Sequence, residues 1–235
     1  MLVTETGGEL VKLPLLPPSL NRLLRSAKLS LTATGTLYGS VIEIRWGSPA
    51  AELRSRLLNV SEVDRKKAVE NFLGAFLGGF ALKDSKVNNL DKLDDNPVVE
   101  YGFVAENYAQ IAGDLLLVRP RVLGQKSDDV LEAKEKKERK YPVEFPDATL
   151  QSDIVEIALP SGYKVDELPP PVEIDTGIAL YRSKVEMVGN VLHYSRIYQI
   201  KDVLVPTSRL DELRKFYRQV AADEHSSAVL KRAAP

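Results

Sequence analysis

The stretch IALYRSKVEMVGNVLHYSRIYQI, residues 178–200, indicates the fold class more clearly than any other part of the chain. Apolar and aromatic side chains recur through residues 178–187 and 191–200, and over part of each run they alternate with polar ones. A period of two is that of a strand with one buried face. Between the two runs lies Gly189-Asn190, a pair whose residues tolerate the positive φ of a tight turn. These residues therefore predict an antiparallel β-hairpin.

Similar short apolar or alternating runs occur on both sides of this hairpin. They predict strands at residues 9–13, 29–33, 37–46, 81–87, 98–105, 114–122, 141–145, 153–159 and 228–230. The short links between successive strands favour antiparallel pairing.

Two segments break this pattern and are predicted to be helical. Residues 49–77 and 208–222 place apolar side chains at helical spacing. Ser61 with Asp64, and Ser208 with Asp211, have the spacing of helix-capping pairs. The sequence predicts a mostly β or α+β fold, with one or two antiparallel β-sandwiches and these two helical segments.

The chain divides by composition into four parts. Residues 1–18 end in prolines and are predicted to be an N-terminal extension, the end of an upstream domain. Residues 19–124 form a β-rich subdomain with a helix, and residues 125–140 a charged linker or loop. Residues 141–235 form a second β-rich subdomain with a C-terminal helix. The alternative is that the two subdomains form one continuous domain.

Composition limits the chemistry that the chain can perform. Lys and Arg number 32 against 33 Asp and Glu, so there is no general basic excess for nucleic acid. Cysteine is absent, which excludes thiolate catalysis and cysteine metal ligands. No apolar run reaches the ~20 residues of a membrane span, and the N-terminus does not resemble a signal peptide.

The acid–base and metal-binding residues show no catalytic arrangement. His193 lies in the hairpin with no carboxylate at strand spacing, and His225 follows the last helix. The acidic stretch 91–96 lacks the glycine and distal glutamate of a calcium loop. We therefore expect no enzyme activity, no catalytic, metal or cofactor-binding residues, and no cofactor.

Four residues are candidates for an interaction surface. Arg119 and Arg121 are two apart on a predicted strand, where they would point to one face and bind a carboxylate or another domain. The alternative is that they form ion pairs with Glu100, Glu106 or the sheet edge. Tyr194 and Tyr198 share a face of the hairpin and would form an exposed aromatic platform for a carbohydrate or protein ligand.

Three groups of residues together resemble a known family. They are Asn107-Tyr108-Ala109-Gln110 with Gly113-Asp114-Leu115-Leu116, Arg119-Pro120 and Arg139-Lys140-Tyr141-Pro142-Val143; Leu159-Pro160-Ser161-Gly162-Tyr163-Lys164-Val165 with Leu168-Pro169; and Leu213-Arg214-Lys215-Phe216-Tyr217 before Val229-Leu230-Lys231. This succession resembles the β-rich domain of unknown function that follows the transglutaminase-like core of large bacterial proteins. The resemblance extends from about Leu10 to the end of the chain.

The resemblance implies a non-catalytic accessory module. Such a module would pack on a transglutaminase- or peptidase-like core of the same parent protein or another protein, or mediate protein interaction, in the periplasm or cell envelope. The Cys, His and Asp of the core would lie upstream, and Met1 would begin a fragment. The alternative is a free-standing carbohydrate- or protein-binding module. A third hypothesis is a hydrolase using Asp, Glu and Ser, for which Asp114 and Glu100 would be the residues to test.

Overall fold

The computed structural model of the chain describes residues 2–4, 7–9, 15–126 and 139–233. Within these ranges the strands form sheets of eight and four strands and two two-stranded pairs. Most of the predicted strand at 9–13, and most of the charged segment 125–140, lie outside the described residues.

The eight-stranded sheet is the central element of the fold. Its strands are β3 (Arg22–Leu31), β4 (Leu37–Arg45), β5 (Phe80–Asn88), β6 (Val98–Ala105), β10 (Thr149–Ala158), β12 (Val172–Asp175), β13 (Ala179–Val188) and β14 (Val191–Ile200). Their order is β12-β13-β14-β10-β3-β4-β6-β5, and every pair is antiparallel except β10 with β3. Four strands come from before residue 106 and four from after residue 148.

The remaining strands form smaller units. The four-stranded sheet has the order β11-β16-β8-β7 and consists of β7 (Gln110–Ala112), β8 (Leu115–Val118), β11 (Tyr163–Glu167) and β16 (Ala228–Arg232). The pairs are β1 (Leu2–Thr4) with β2 (Gly7–Glu9), and β9 (Val143–Glu144) with β15 (Leu204–Val205). Both larger sheets thus combine strands from the two halves of the chain.

The α-helices of the described chain are α1 (Ser48–Leu57), α2 (Glu62–Gly74) and α3 (Leu210–Glu224). They occupy the two predicted helical segments. The predicted cap of α2 is confirmed, because Ser61 Oγ accepts from the Asp64 amide and donates to its carboxylate at 2.7 Å. The predicted Ser208 cap is wrong. A 3-10 turn at Thr207–Arg209 precedes α3, and its N-cap position is Arg209.

Two apolar clusters stabilise the part of the chain that the structure describes. The larger contains residues of both main sheets and of α1 and α2, so here the two sheets pack as a sandwich. The smaller consists of residues from α3, β13, β14 and the β9–β15 pair, with Phe216 and Tyr181 fully buried. The expectation of a mostly β, α+β fold is confirmed, and the pairing is antiparallel except for β3 with β10.

Candidate functional site

A row of alternating charges crosses the buried face of the large sheet. Glu43 on β4 pairs in register with Arg25 on β3, Arg25 with Asp153 on β10, and Asp153 with Arg196 on β14. We call this row the charged rung. Neighbouring residues on the same face are apolar, including Ala27 beside Arg25. The rung therefore lies in the interior, where an unpaired charge is costly.

Each charge in the rung has opposite charges beside it. Arg25 Nε lies 2.8 Å from Glu43 Oε1, and Arg25 Nη1 lies 2.8 Å from Asp153 Oδ1. Arg196 Nη1 lies 2.8 Å from Asp153 Oδ2. The side chains of Glu43 and Asp153 are only 2% exposed. Paired in this way, the four charges are held in the interior with charge-assisted hydrogen bonds.

Two further charges join the rung to other layers of the fold. Arg121, in the segment after β8, places Nη1 at 2.7 Å from Asp153 Oδ1. Glu224, at the end of α3, places Oε1 at 2.6 Å from Arg196 Nε and 3.7 Å from Arg121 Nε. The geometry of both Glu224 contacts is that of ion pairs rather than aligned hydrogen bonds. The charged rung, Arg121 and Glu224 together form a buried charged cluster. This cluster connects the large sheet, the segment after β8 and α3.

The charged side chains approach the backbone closely at Gly124. Its φ is +73°, and a Cβ there would lie 2.6 Å from Nη1 of Arg25. Its carbonyl oxygen accepts a hydrogen bond from Arg121 Nη2 at 2.7 Å. The positive φ and the short distance to Arg25 both favour glycine here, because glycine adopts positive φ readily and has no Cβ.

Hydrogen bonds complete the two ends of the rung. At one end Tyr101 Oη donates to Glu43 Oε1 at 3.0 Å, and Arg45 Nη2 donates to Glu43 Oε2 at 2.6 Å. At the other end Ser183, in register with Arg196, donates to Asp223 of α3 at 2.6 Å. The rung is therefore bounded by further polar contacts.

These contacts determine how the carboxyl groups ionise. Burial disfavours ionisation of Glu43, but Arg25 and then Arg45 outweigh it and hold its pKa at about 2. Burial likewise opposes ionisation of Asp153, and Arg121, Arg25 and Arg196 hold its pKa below the usual range. A general acid or base works best with a pKa near the working pH. Neither carboxylate meets that condition at neutral pH, so pairing is the chemistry that they support.

The two predicted arginines have opposite environments. Arg119 is exposed, whereas Arg121 is 1% exposed and belongs to the buried cluster. The prediction that both point to one face is wrong, because β8 ends at Val118 and strand alternation does not continue through them. Arg119 lines a separate polar hollow with Asn107 and Gln125.

The predicted tyrosine platform is wrong. Tyr194 and Tyr198 do share a face of β14, as the alternation predicts, but they are 3% and 4% exposed. That face is the buried one, and Tyr198 packs against Phe216 and Tyr217 of α3. Alternation shows which residues share a face, and tertiary packing decides which face is covered.

Cross-strand pairing also supplied a partner that sequence spacing missed. His193 lies opposite Glu156 of β10, with Nδ1 at 3.7 Å from Oε1. His225 follows the last turn of α3, where its ring Nδ1 is 2.7 Å from the Ala221 carbonyl oxygen. In the described ranges no group of three His, Asp or Glu side chains could hold a metal ion.

The charged rung carried a signal that could be found in the sequence. Arg25, Glu43, Asp153 and Arg196 each occupy an apolar position of an alternating strand, for example Asp153 before Val155 and Ile157. A charge at such a position indicates either a buried ion pair or a strand that is not buried. Which partners it meets depends on the strand order.

The opposite face of the same sheet is exposed and carries aliphatic side chains. This surface, which we call the outer face, consists of Leu24, Ile42, Ile44, Ile154, Ile197 and the residues around them. Its rungs run from Ile42 through Ser26 to Ile154, and from Ile44 through Leu24 and Ser152 to Ile197. Ile42, Ile154 and Ile197 are 45%, 46% and 37% exposed.

The outer face is bordered by charges and includes a hollow. Arg182 and Lys184 of β13 follow in the same rungs, and Glu173 of β12 lies opposite Arg182 at 2.6 Å. A hollow of about 640 Å³ extends over β10, β14, β13 and β12, and Ile154 and Ile197 are among its lining residues. An aliphatic centre with a polar border is typical of protein interaction surfaces.

Within the described ranges, no helix is both long and apolar enough to cross a membrane.

Comparison with known proteins gave two matches. The crystal structure of a "putative protease" from Parabacteroides distasonis, at 2.00 Å resolution, is 10% identical with a TM-score of 0.43. The match covers 52% of this chain and 24% of that chain, so this chain spans about a quarter of that protein's length. No curated protein matches. Residues 114–230, which include Arg121, Asp153, Arg196 and Glu224, match the family described as a domain of unknown function with solved structure, DUF3858.

Proposed function

We propose that this chain is a non-catalytic accessory module that packs through its outer face against another folded protein domain. That domain is a transglutaminase- or peptidase-like core in a bacterial protein of the periplasm or cell envelope. The observation that carries the proposal is the exposure of Ile42, Ile154 and Ile197, which lie on β4, β10 and β14 of one sheet.

The composition of the outer face supports a protein partner. Its centre is aliphatic and interrupted only by small serines, which gives a surface that another domain can approach closely. Its border carries both signs of charge, as Arg182, Lys184 and Glu173 show. Mixed charge suits a protein surface better than a polyanion such as nucleic acid.

The mutual pairing of the buried charges supports a non-catalytic role. The charged rung consists of ionised groups that neutralise one another, and the pKa of Glu43 lies at about 2 because of Arg25 and Arg45. A carboxyl group that transferred protons near neutral pH would need a pKa in that range. The rung instead joins β-strands from both halves of the chain to α3.

The identity of the partner rests on the sequence resemblance. The residues of that resemblance, from Asn107 to Lys231, overlap the segment 114–230 that matches the domain of unknown function. The transglutaminase-like core and the cell-envelope setting are the parts of the proposal that this resemblance supplies.

The first test is the size of the native protein in its source cells. An immunoblot of fractionated extract, with antibody to this chain, should show a band about two to three times the 26.1 kDa of this sequence in the envelope fraction. A soluble band at 26.1 kDa would contradict the proposed parent protein and favour a free-standing protein-binding module.

The second test measures docking directly. The upstream core is purified separately and titrated with this chain by isothermal calorimetry. Ile154→Lys should abolish the heat of binding, because it places a charge in the centre of the outer face. Ile111→Lys is the matched control, since Ile111 is 58% exposed on β7 of the small sheet. Equal binding by both variants, or no binding by the unmodified chain, would refute docking through the outer face.

A further inference from the structure

A cavity of about 460 Å³ lies between the helix pair α1–α2 and strands β4 and β6. Its walls are mostly apolar: Leu53, Leu57, Val60, Ala68, Val69, Phe72, Val99 and Tyr101. This volume is within the range of sites that bind small molecules, about 300–1,000 Å³. The cavity is on the buried side of the large sheet and is separate from the outer face.

One end of the cavity is polar and has an unused donor. Arg45 lines the cavity, and its Nη2 donates to Glu43 Oε2 at 2.6 Å. Its Nε is buried and has no hydrogen-bond partner in the described chain. A buried donor without an acceptor is unfavourable, so an acceptor atom on a ligand would be stabilised there.

The acidic groups at the cavity are already engaged. Glu43 accepts from Arg25, Arg45 and Tyr101, and Asp64 accepts from Ser61 Oγ in the cap of α2.

The other basic groups near the cavity are Arg56 and Arg25. Arg56 lies at the cavity with a single exposed contact to Glu52 at 3.6 Å, and Arg25 stands behind Glu43. The charged residues that line the cavity, Glu43, Asp64, Arg45 and Arg56, sum to zero. The preference for an anionic group over a cationic one therefore rests on the unpartnered donor of Arg45, which a carboxylate satisfies and an ammonium does not.

We propose that this cavity binds a small anionic amphiphile, a carboxylate with a short aliphatic chain or a ring. The carboxylate accepts from Arg45 Nε, and the apolar part lies among Leu53, Leu57, Val69 and Phe72. Charge-assisted hydrogen bonds from arginine to carboxylate are strong and directional. The walls supply the hydrophobic part of the affinity. This proposal is independent of docking through the outer face.

Three ligands with one tail separate the contributions of tail and head group. The chain is titrated by isothermal calorimetry with octanoate, 1-octanol and octylammonium, each below the concentration at which it aggregates. Octanoate should bind at least about tenfold more tightly than octylammonium, with octanol between them. Equal affinities, or no binding of octanoate, would overturn the proposal. This comparison leaves Arg45 and the charged rung unchanged.

A pair of variants tests whether octanoate binds in this cavity. Ala68→Phe fills the cavity from α2 and should weaken octanoate binding at least about tenfold. Ala51→Phe introduces the same side chain at an exposed position of α1 and should leave the affinity unchanged. Equal effects of the two variants would place the site elsewhere and refute the proposal.

A labelling experiment tests the site even where Ala68→Phe fails to fold. A photoreactive diazirine analogue of octanoate is added to the unmodified chain, irradiated, and located by peptide mass spectrometry. We expect labelled peptides from residues 53–72 and 99–101, with protection by excess octanoate. Labelling confined to other parts of the chain would contradict the proposed cavity.

Discussion

Each face of the eight-stranded sheet departs in its own way from the usual separation of buried apolar and exposed charged side chains. The inner face buries Glu43, Arg25, Asp153 and Arg196 in one rung, whereas the outer face leaves isoleucines such as Ile154 exposed. Both faces come from the same strands, and their residues alternate along the chain. On the inner face the layers that cover the sheet include the small sheet and the three helices.

The difference shows that pairing, rather than polarity alone, decides which side chains a sheet can bury. The inner charges are tolerated because every one has an opposite charge within 3 Å. Replacing such a cluster by apolar residues is often neutral, but removing one partner leaves another charge unpaired and is costly. The charged rung therefore makes the fold sensitive to single substitutions at its members, and the outer face does not.

Removing the central carboxylate should have the largest effect. Asp153→Asn deprives Arg25, Arg121 and Arg196 of their shared partner, and we expect the free energy of unfolding to fall by about 3–5 kcal/mol. Asp175→Asn, which breaks an exposed pair with Lys201, is the matched control and should change it far less. Urea unfolding followed by circular dichroism measures both. Similar losses would show that burial of the rung contributes nothing.

Acid should weaken the fold through the same carboxylates. The pKa of Glu43 is about 2 in the folded chain against an ordinary 4.5, since Arg25 and Arg45 outweigh the effect of burial. A lowered carboxyl pKa stabilises the fold above pH 4.5, and this stabilisation is lost as pH falls towards 2. We expect a loss on the order of 3 kcal/mol from Glu43, with a further loss from Asp153.

Unfolding free energies measured from pH 7 to pH 2 test this dependence. The measurements are repeated in about 1 M NaCl, which screens exposed pairs more than buried ones. A decline that disappears at high salt would assign the pH dependence to surface carboxylates instead of the rung.

We expect an intermediate loss of stability from removing a single hydroxyl on the buried face. Tyr101→Phe removes the buried hydrogen bond to Glu43, and we expect a loss of about 1.5–3 kcal/mol in the free energy of unfolding. Tyr38→Phe makes the same change on the exposed side of β4 and should have almost no effect. If both variants unfold at the same urea concentration, the Tyr101 hydrogen bond does not stabilise the fold.

The smallest expected effect compares two isoleucines of one strand. Ile157 is fully buried and Ile154 is 46% exposed, both on β10. Ile157→Val should cost about 0.5–1.5 kcal/mol because it leaves a small cavity, whereas Ile154→Val should stay within about 0.5 kcal/mol. Thermal unfolding at one protein concentration measures the pair. An equal loss would mean that the outer face is covered in the isolated chain.

The sequence predicted local structure well where the signal was local. The hairpin of β13 and β14, the capping of α2 by Ser61, and the helical segments all follow from side-chain spacing along the chain. The end of β8 and the start of α3 were displaced by a few residues. The displaced end of β8 led to the wrong prediction for Arg121.

By itself, then, the sequence determined the mostly β class and which residues share a strand face, because these depend on backbone geometry with a period of two. Only the tertiary structure decided which face is buried and which charges meet. β3 and β10 are more than a hundred residues apart, and their parallel pairing brings Arg25 beside Asp153. The position of α3 then buries Tyr198, which alternation left free to face solvent. Contacts of this kind depend on strand order, which no local pattern encodes.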